Sequence, residues 1–185
     1  MKYKGHLPNI SENTLIGAVS ADTGAVNSIT DPDTGATHTI PSLAAHYKSR
    51  SQPWLVIAEH NYGEGSAREH AALQPRYLGC RAIVAKSFAR IHETNLKKQG
   101  VVPLTFRDEA DYEKVSGGDE VATEGLGEVL RSGGRTGEVS LVVRQRGSGA
   151  VFRVPVRHTL SPDQCGFILA GSALNVLAGK GKGGA

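Results

Sequence analysis

The run Trp54-Leu55-Val56-Ile57-Ala58, followed after two residues by Asn61-Tyr62-Gly63-Glu64-Gly65-Ser66-Ala67-Arg68-Glu69-His70-Ala71-Ala72-Leu73, decides how this chain is read. The first five residues are a continuous apolar run that reads as a buried strand, and from Arg68 onward the residues are good helix formers. Two glycines, a serine and an arginine therefore fall on a strand-to-helix turn. Glycine there permits positive φ and close approach of a ligand. The first amides of a helix are unpaired and attract anions together with the helix dipole. The stretch predicts a cradle for a carboxylate or phosphate, with Ser66 and Arg68 at its mouth.

Downstream, the helix should stop near Gln74-Pro75, because the residue before a proline avoids the α region. Arg81 to Ala85 is a second continuous apolar strand, of the kind buried on both faces. Phe88 to Lys98 reads as a helix with Phe88, Ile91 and Asn95 on one face and Arg90, Glu93 and Lys97 on the other. Gly100 caps it, and Val101 to Leu104 is a third strand. Strand–helix–strand–helix–strand order over residues 54–105 predicts a parallel α/β core.

Upstream, residues 5–11 read as a polar loop. Ser20 to Ile40, with Asp-Thr-Gly at Asp22 and again at Asp33, reads as a short hairpin, and Pro41 to Lys48 as a helix. Beyond Phe106 the texture becomes glycine-punctuated and alternating. Glu138–Val143 and Val151–Val156 form an antiparallel hairpin around Arg146–Gly149, and short helices follow over Ser161–Leu169 and Ala173–Leu177. The Gly/Lys tail 179–185 has no apolar anchor and should fray.

At 185 residues with 39% hydrophobic content the chain fits one domain, placed at residues 1–178. Its net charge of +3 suits anionic metabolites and is too small to argue for nucleic acid by itself. Two cysteines, Cys80 and Cys165, stand far apart without a C-x-x-C, so no zinc or iron–sulfur motif lies within the chain. No signal peptide, transit peptide or membrane span is visible, which points to the cytoplasm or the mitochondrial matrix.

Ser66 is the sharpest chemical candidate. A serine hydroxyl is a weak base unless its alkoxide is stabilised, and a helix N-terminus with a guanidinium two residues on would stabilise it. Ser66-x-x-Glu69 also has the form of a capping box, and the local pattern by itself favours that plainer reading. Arg68 is a natural bidentate carboxylate clamp, against a solvated first-turn arginine as the alternative. His70 reads as a structural hydrogen-bonding residue. Arg90, Lys97 and Lys98 read as a basic, solvated helical face.

Gly63 to Leu73, followed by Lys86-Ser87-Phe88-Ala89-Arg90-Ile91-His92-Glu93-Thr94-Asn95-Leu96-Lys97-Lys98-Gln99-Gly100, resembles the C-terminal swivel domain of mitochondrial-type aconitases. The resemblance runs from Gly5-His6-Leu7 with Asn9-Ile10-Ser11, through Val102–Phe106, to Ala170-Gly171-Ser172-Ala173-Leu174-Asn175. It implies a swivelling β/β/α fold, with a parallel strand–helix core, antiparallel hairpins and a short C-terminal helix. The implied reaction is the reversible isomerisation of citrate and isocitrate through cis-aconitate. Ser66 then matches the family's alkoxide base and Arg68 its carboxylate-binding arginine, which reverses the preference for a cap. Two site positions depart from the family: Ala67 stands where a second serine is usual, and Lys4 where a substrate-binding arginine is usual. Lysine keeps the charge without the planar fork.

The resemblance also implies a [4Fe–4S] cluster held by three cysteines of preceding domains, so this chain should bind no metal itself. It should act with aconitase-type catalytic domains, or as the small subunit of a two-chain enzyme as in isopropylmalate isomerases. A homoaconitate-like, methylcitrate-like or isopropylmalate substrate is a further alternative. A non-catalytic RNA-binding module using the basic helix is the minor one. The isolated chain is expected to show no hydratase activity.

Overall fold

The computed structural model describes residues 6–65 and 69–181. Lys4, Ser66, Ala67 and Arg68 lie outside the described residues. The centre of the molecule is a six-stranded mixed sheet built from β3 (Trp54–Ala58), β4 (Cys80–Ala85), β5 (Val102–Phe106), β6 (Glu120–Glu124), β7 (Val139–Arg144) and β8 (Val151–Arg157), in the order β3-β4-β5-β8-β7-β6. The pairs β3–β4 and β4–β5 are parallel, and β5–β8, β8–β7 and β7–β6 are antiparallel. The α/β core and the hairpin half expected from the sequence are therefore both present, joined at Thr105–Arg157 and Phe106–Val156.

Two apolar cores lie on the two faces. Ala72, Cys80, Ile83, Leu96 and Val101 form one, beneath α3 (Glu69–Tyr77) and α4 (Arg90–Lys98). The other joins Val84, Leu104, Leu141, Val143 and Val154 to Val129 of α5 (Leu126–Arg131) and Cys165 of α6 (Pro162–Ala170). The register shifts between Trp54 and Leu55, which puts Cys80 and Ile83 in the same core despite their odd spacing. β4 is buried on both faces apart from Arg81, as its unbroken apolar run required.

Several boundaries differ from the sequence reading, each for a local reason. α3 continues through Pro75 to Tyr77. The proline stands in the last turn of a short helix, where its fully buried ring gains packing against the one hydrogen bond it removes. Residues Leu7–Ser11, read as loop, form a short helix α1, with the His6 imidazole accepting from the amide of Asn9 at 3.4 Å. The single hairpin expected over 20–40 is two small ones: a bridge Val19–Val26, and the pair β1 (Ile29–Thr30) and β2 (Thr37–His38). Each Asp-Thr-Gly closes one of them, with Gly24 and Gly35 left-handed. α2 (Ile40–Ser49) leads into β3. α7 (Ala173–Gly181) runs beyond Leu177 into the segment expected to fray, and residues 182–185 lie outside the described residues.

α4 begins at Arg90, and its buried face is His92, Asn95, Leu96 and Lys97, so Asn95 packs inward as expected while Ile91 and Lys97 exchange sides. Phe88 is held in a bridge to Tyr62, so residues 87–89 are extended. Ile91 is 59% exposed, whereas Lys97 is 6% exposed. Lys97 donates to Thr159 O at 3.1 Å and Thr159 Oγ1 at 2.7 Å and pairs with Glu93 at 2.9 Å. The basic face Arg90–Lys97–Lys98 does not form, because the lysine that alternation assigned to solvent is spent inside.

The far end of α4 is locked to the end of α6. Gly100 has φ +76°, and a Cβ there would lie 2.1 Å from Gly171 O. Gly100→Ala is expected to destabilise the fold by at least about 2 kcal/mol, through both the strained φ and the backbone collision. Urea unfolding checks this; an unchanged midpoint would contradict the contact.

Candidate functional site

Parallel strands β3 and β4 end side by side at Ala58 and Ala85, and the chain leaving each builds one surface. Lys86 N donates to Ala58 O at 3.2 Å, Asn61 N to Ser87 Oγ at 2.8 Å, and Tyr62 N to Ser87 O at 3.0 Å. Ala89 N returns a hydrogen bond to Tyr62 O at 3.0 Å. Two stretches that stood apart in sequence, 61–65 and 86–89, are thereby stitched together beyond the carboxyl ends of the strands, the usual place for a ligand in an α/β sheet. Ser66 to Arg68 follow directly in the chain, between Gly65 and the first described residue of α3, Glu69.

The two glycines of the motif behave differently. Gly63 has φ +89°, and a Cβ added to it would fall 2.2 Å from Cγ of His92. Its lack of a side chain makes room for a ring of this same chain, where the sequence reading made room for a ligand. Among the described residues nothing beyond its chain neighbours lies within 4 Å of a Cβ added to Gly65. Tyr62 completes the packing: its ring lies 5.4 Å from the His92 ring and 5.9 Å from Phe88, edge-on to the latter. Burial pushes the Tyr62 phenol well above its ordinary range, so it stays protonated at any physiological pH.

A charged rim borders the loop, and the sequence reading missed it. Lys86 pairs with Glu59 at 2.8 Å and reaches Glu113 at 3.9 Å, with its ammonium 4.3 Å from the centre of the Tyr112 ring. The hydrogen bond to Lys86 holds the Glu59 carboxyl below its usual range and raises Lys86 in turn. His60 lies 3.5 Å from Glu109. A signal for the first pair was available: Glu59 and Lys86 each directly follow the last apolar residue of adjacent parallel strands, so pairing in register makes them neighbours. His70 is partly buried in the first turn of α3.

A cavity of about 1200 Å³ lies over the inner face of β3 and β4, between the sheet and the two small hairpins. It is lined by Leu55, Ile57 and Ala82 of the sheet and reaches Glu59, Tyr62 and Tyr112 beside the motif loop. The functional reading rests on the loop.

The residues present do not suit an iron–sulfur cluster. Cys80 and Cys165 are buried in the two separate cores on opposite faces of the sheet. Burial pushes the Cys80 thiol up to about 12 and raises that of Cys165, the reverse of what a thiolate ligand needs. Among the described residues no group of three His, Cys, Asp or Glu could hold a metal ion, and no helix is long and apolar enough to cross a membrane.

The family model of the aconitase C-terminal domain matches residues 1–109. The chain is 67% identical over 178 residues to a putative mitochondrial aconitate hydratase of Emericella nidulans, covering 96% of this chain and 22% of that protein. It is 54% identical over 177 residues to a mitochondrial homocitrate dehydratase of Saccharomyces cerevisiae, again covering 96% of this chain and 22% of that protein. A solved structure of a 3-isopropylmalate dehydratase from Methanocaldococcus jannaschii superimposes with a TM-score of 0.46 at 20% identity, over 68% of this chain and 64% of that one. The chain spans about a fifth of the length of the curated relatives it matches.

Proposed function

This chain belongs to the aconitase C-terminal domain family, and from that premise we propose that it is one part of a hydro-lyase acting on a tricarboxylate, citrate and isocitrate through cis-aconitate. The observation that carries the reading is the stitching of loop 61–65 to residues 86–89, which brings the family's two motifs to one surface at the strand ends. In this reading Ser66 is the base that removes a proton from the carbon beside a carboxylate. Arg68 grips that carboxylate in bidentate fashion and steadies the charge that builds on it. The start of the nine-residue helix α3 favours an anion at the same place. Lys4 supplies a second, non-planar cation, and at Ala67 only the backbone amide is left to contact substrate.

Ser66 and Arg68 account for proton transfer and carboxylate binding, not for departure of the hydroxyl group. The buried cysteines do not suit a cluster, so the iron–sulfur group belongs to catalytic domains or a large subunit outside residues 1–185. The purified chain is expected to show no turnover by itself, and hydration of cis-aconitate should appear only with cluster-bearing catalytic domains of the same enzyme. Following loss of the conjugated alkene's absorbance decides it. Turnover by the chain alone, or none in the reconstituted mixture, would overturn the proposal.

The mitochondrial homocitrate dehydratase among the relatives supports a second substrate, one methylene longer. Assaying cis-aconitate and cis-homoaconitate side by side separates the two, and a mitochondrial site of action fits the names of both relatives. Burial of Lys97 counts against the RNA-binding alternative, because it removes the centre of the expected basic face.

A further inference from the structure

We propose that His92 is a positioning residue for the proposed site: its ring is the floor on which Tyr62 and Gly63 lie, and it sets the height of loop 61–65 over α4. The proposal rests on the hydro-lyase reading for its kinetic test, but its structural test is independent of it.

Four observations meet at this ring. His92 is 2% exposed, so its plane is fixed by close packing. Gly63 lies against it so closely that the position of an added Cβ coincides with ring atoms, at 2.2 Å from Cγ and 2.4 Å from Cδ2. The loop can approach that far only because residue 63 has no side chain and takes φ +89°. Tyr62, one residue earlier, packs its ring on the same imidazole at 5.4 Å while its backbone is hydrogen-bonded on both sides to residues 87 and 89. The loop is thus pinned sideways by the Tyr62 bridge and from below by His92. At Gly63 the height of the loop over α4 is therefore set by the ring.

His92 stands in the first turn of α4, the helix that also carries the buried Lys97–Glu93 pair. The floor therefore stands next to Glu93, which is paired with the buried Lys97. A site that must hold a carboxylate and a base within a fraction of an ångström needs such support, since a small misplacement costs a large factor in rate.

The test compares His92→Ala with His92→Phe in the complete enzyme and in the whole chain. His92→Ala opens a hole beneath Gly63 and is expected to raise KM for the tricarboxylate about tenfold or more and to lower kcat, while His92→Phe, which keeps a flat ring there, stays within about threefold of the parent in both. Amide hydrogen exchange is read on the chain alone. His92→Ala should speed exchange of residues 61–65 by tenfold or more relative to residues 82–85 of β4. The proposal is overturned if His92→Ala leaves KM and kcat within twofold, or if exchange rises equally in the loop and in β4, which is the signature of a general packing role. Should the parent enzyme turn over no tricarboxylate, the functional reading fails while the exchange result still decides the role of His92. Should His92→Ala not fold, exchange in His92→Phe decides: loop protection kept within threefold supports the floor, and loss at 61–65 with β4 intact overturns it.

Discussion

Replacing Ser66 by alanine in the reconstituted enzyme is expected to lower kcat by about 10³-fold and to leave KM for the tricarboxylate within about threefold. Removal of a positioned base costs about 10²–10⁴ in rate, and the hydroxyl contributes little to ground-state binding when Arg68 and Lys4 hold the carboxylates. Arg68→Lys should show the complementary pattern, with KM rising first, because lysine keeps the charge and loses the fork. Steady-state kinetics with cis-aconitate and with isocitrate separates the two signatures. A Ser66→Ala enzyme that retains parent kcat would remove Ser66 from the chemistry and return it to the capping-box reading that Ser66-x-x-Glu69 also supports.

The second large effect concerns stability. Lys97→Met should cost about 3 kcal/mol, because it leaves the Glu93 carboxylate without its partner on the inner side of α4. Its side chain is only 7% exposed and that of Glu93 21%, so the pair is weakly screened. Thr159 is hydrogen-bonded to both, which ties α4 to the segment between β8 and α6. Replacing Glu93 by leucine in the same chain should recover part of the loss, since an apolar pair of similar volume avoids the buried charge. Urea unfolding measures both variants; for a chain of this size the single change corresponds to a fall in Tm of roughly 6–12 °C. A loss below about 1 kcal/mol would place the pair in effect at the surface.

These two predictions differ in how much of them the sequence already contained. The parallel core was legible because the runs 54–58, 81–85 and 101–104 are short, continuous and separated by helical stretches, but β3, expected to be buried, is an edge strand whose residues are all only partly buried. The strand before the motif loop and the helix after it were legible from the same local pattern. The hairpin Val139–Arg144 with Val151–Arg157 was legible from alternation.

The faces of α4 were not legible. Helical period assigned Ile91 to the core and Lys97 to water, and the structure reverses them. Period reports which residues share a face, but not which face meets the rest of the protein. That choice was made by Thr159, far along the chain, which offers two oxygens to the ammonium. The helix start was displaced for a similar reason, because backbone pairing between Tyr62 and residues 87–89 outcompetes helix there.

By itself, then, the sequence determined the order and type of the central elements and the family that residues 63–73 and 86–100 mark, because these depend on local periodicity and local chemistry. Tertiary structure alone decided that Glu59 and Lys86 are neighbours, that Lys97 is buried with Glu93, and that the space left by Gly63 is filled by His92. Each of these is a contact between residues distant in sequence, and its energy depends on burial and register that no local window contains.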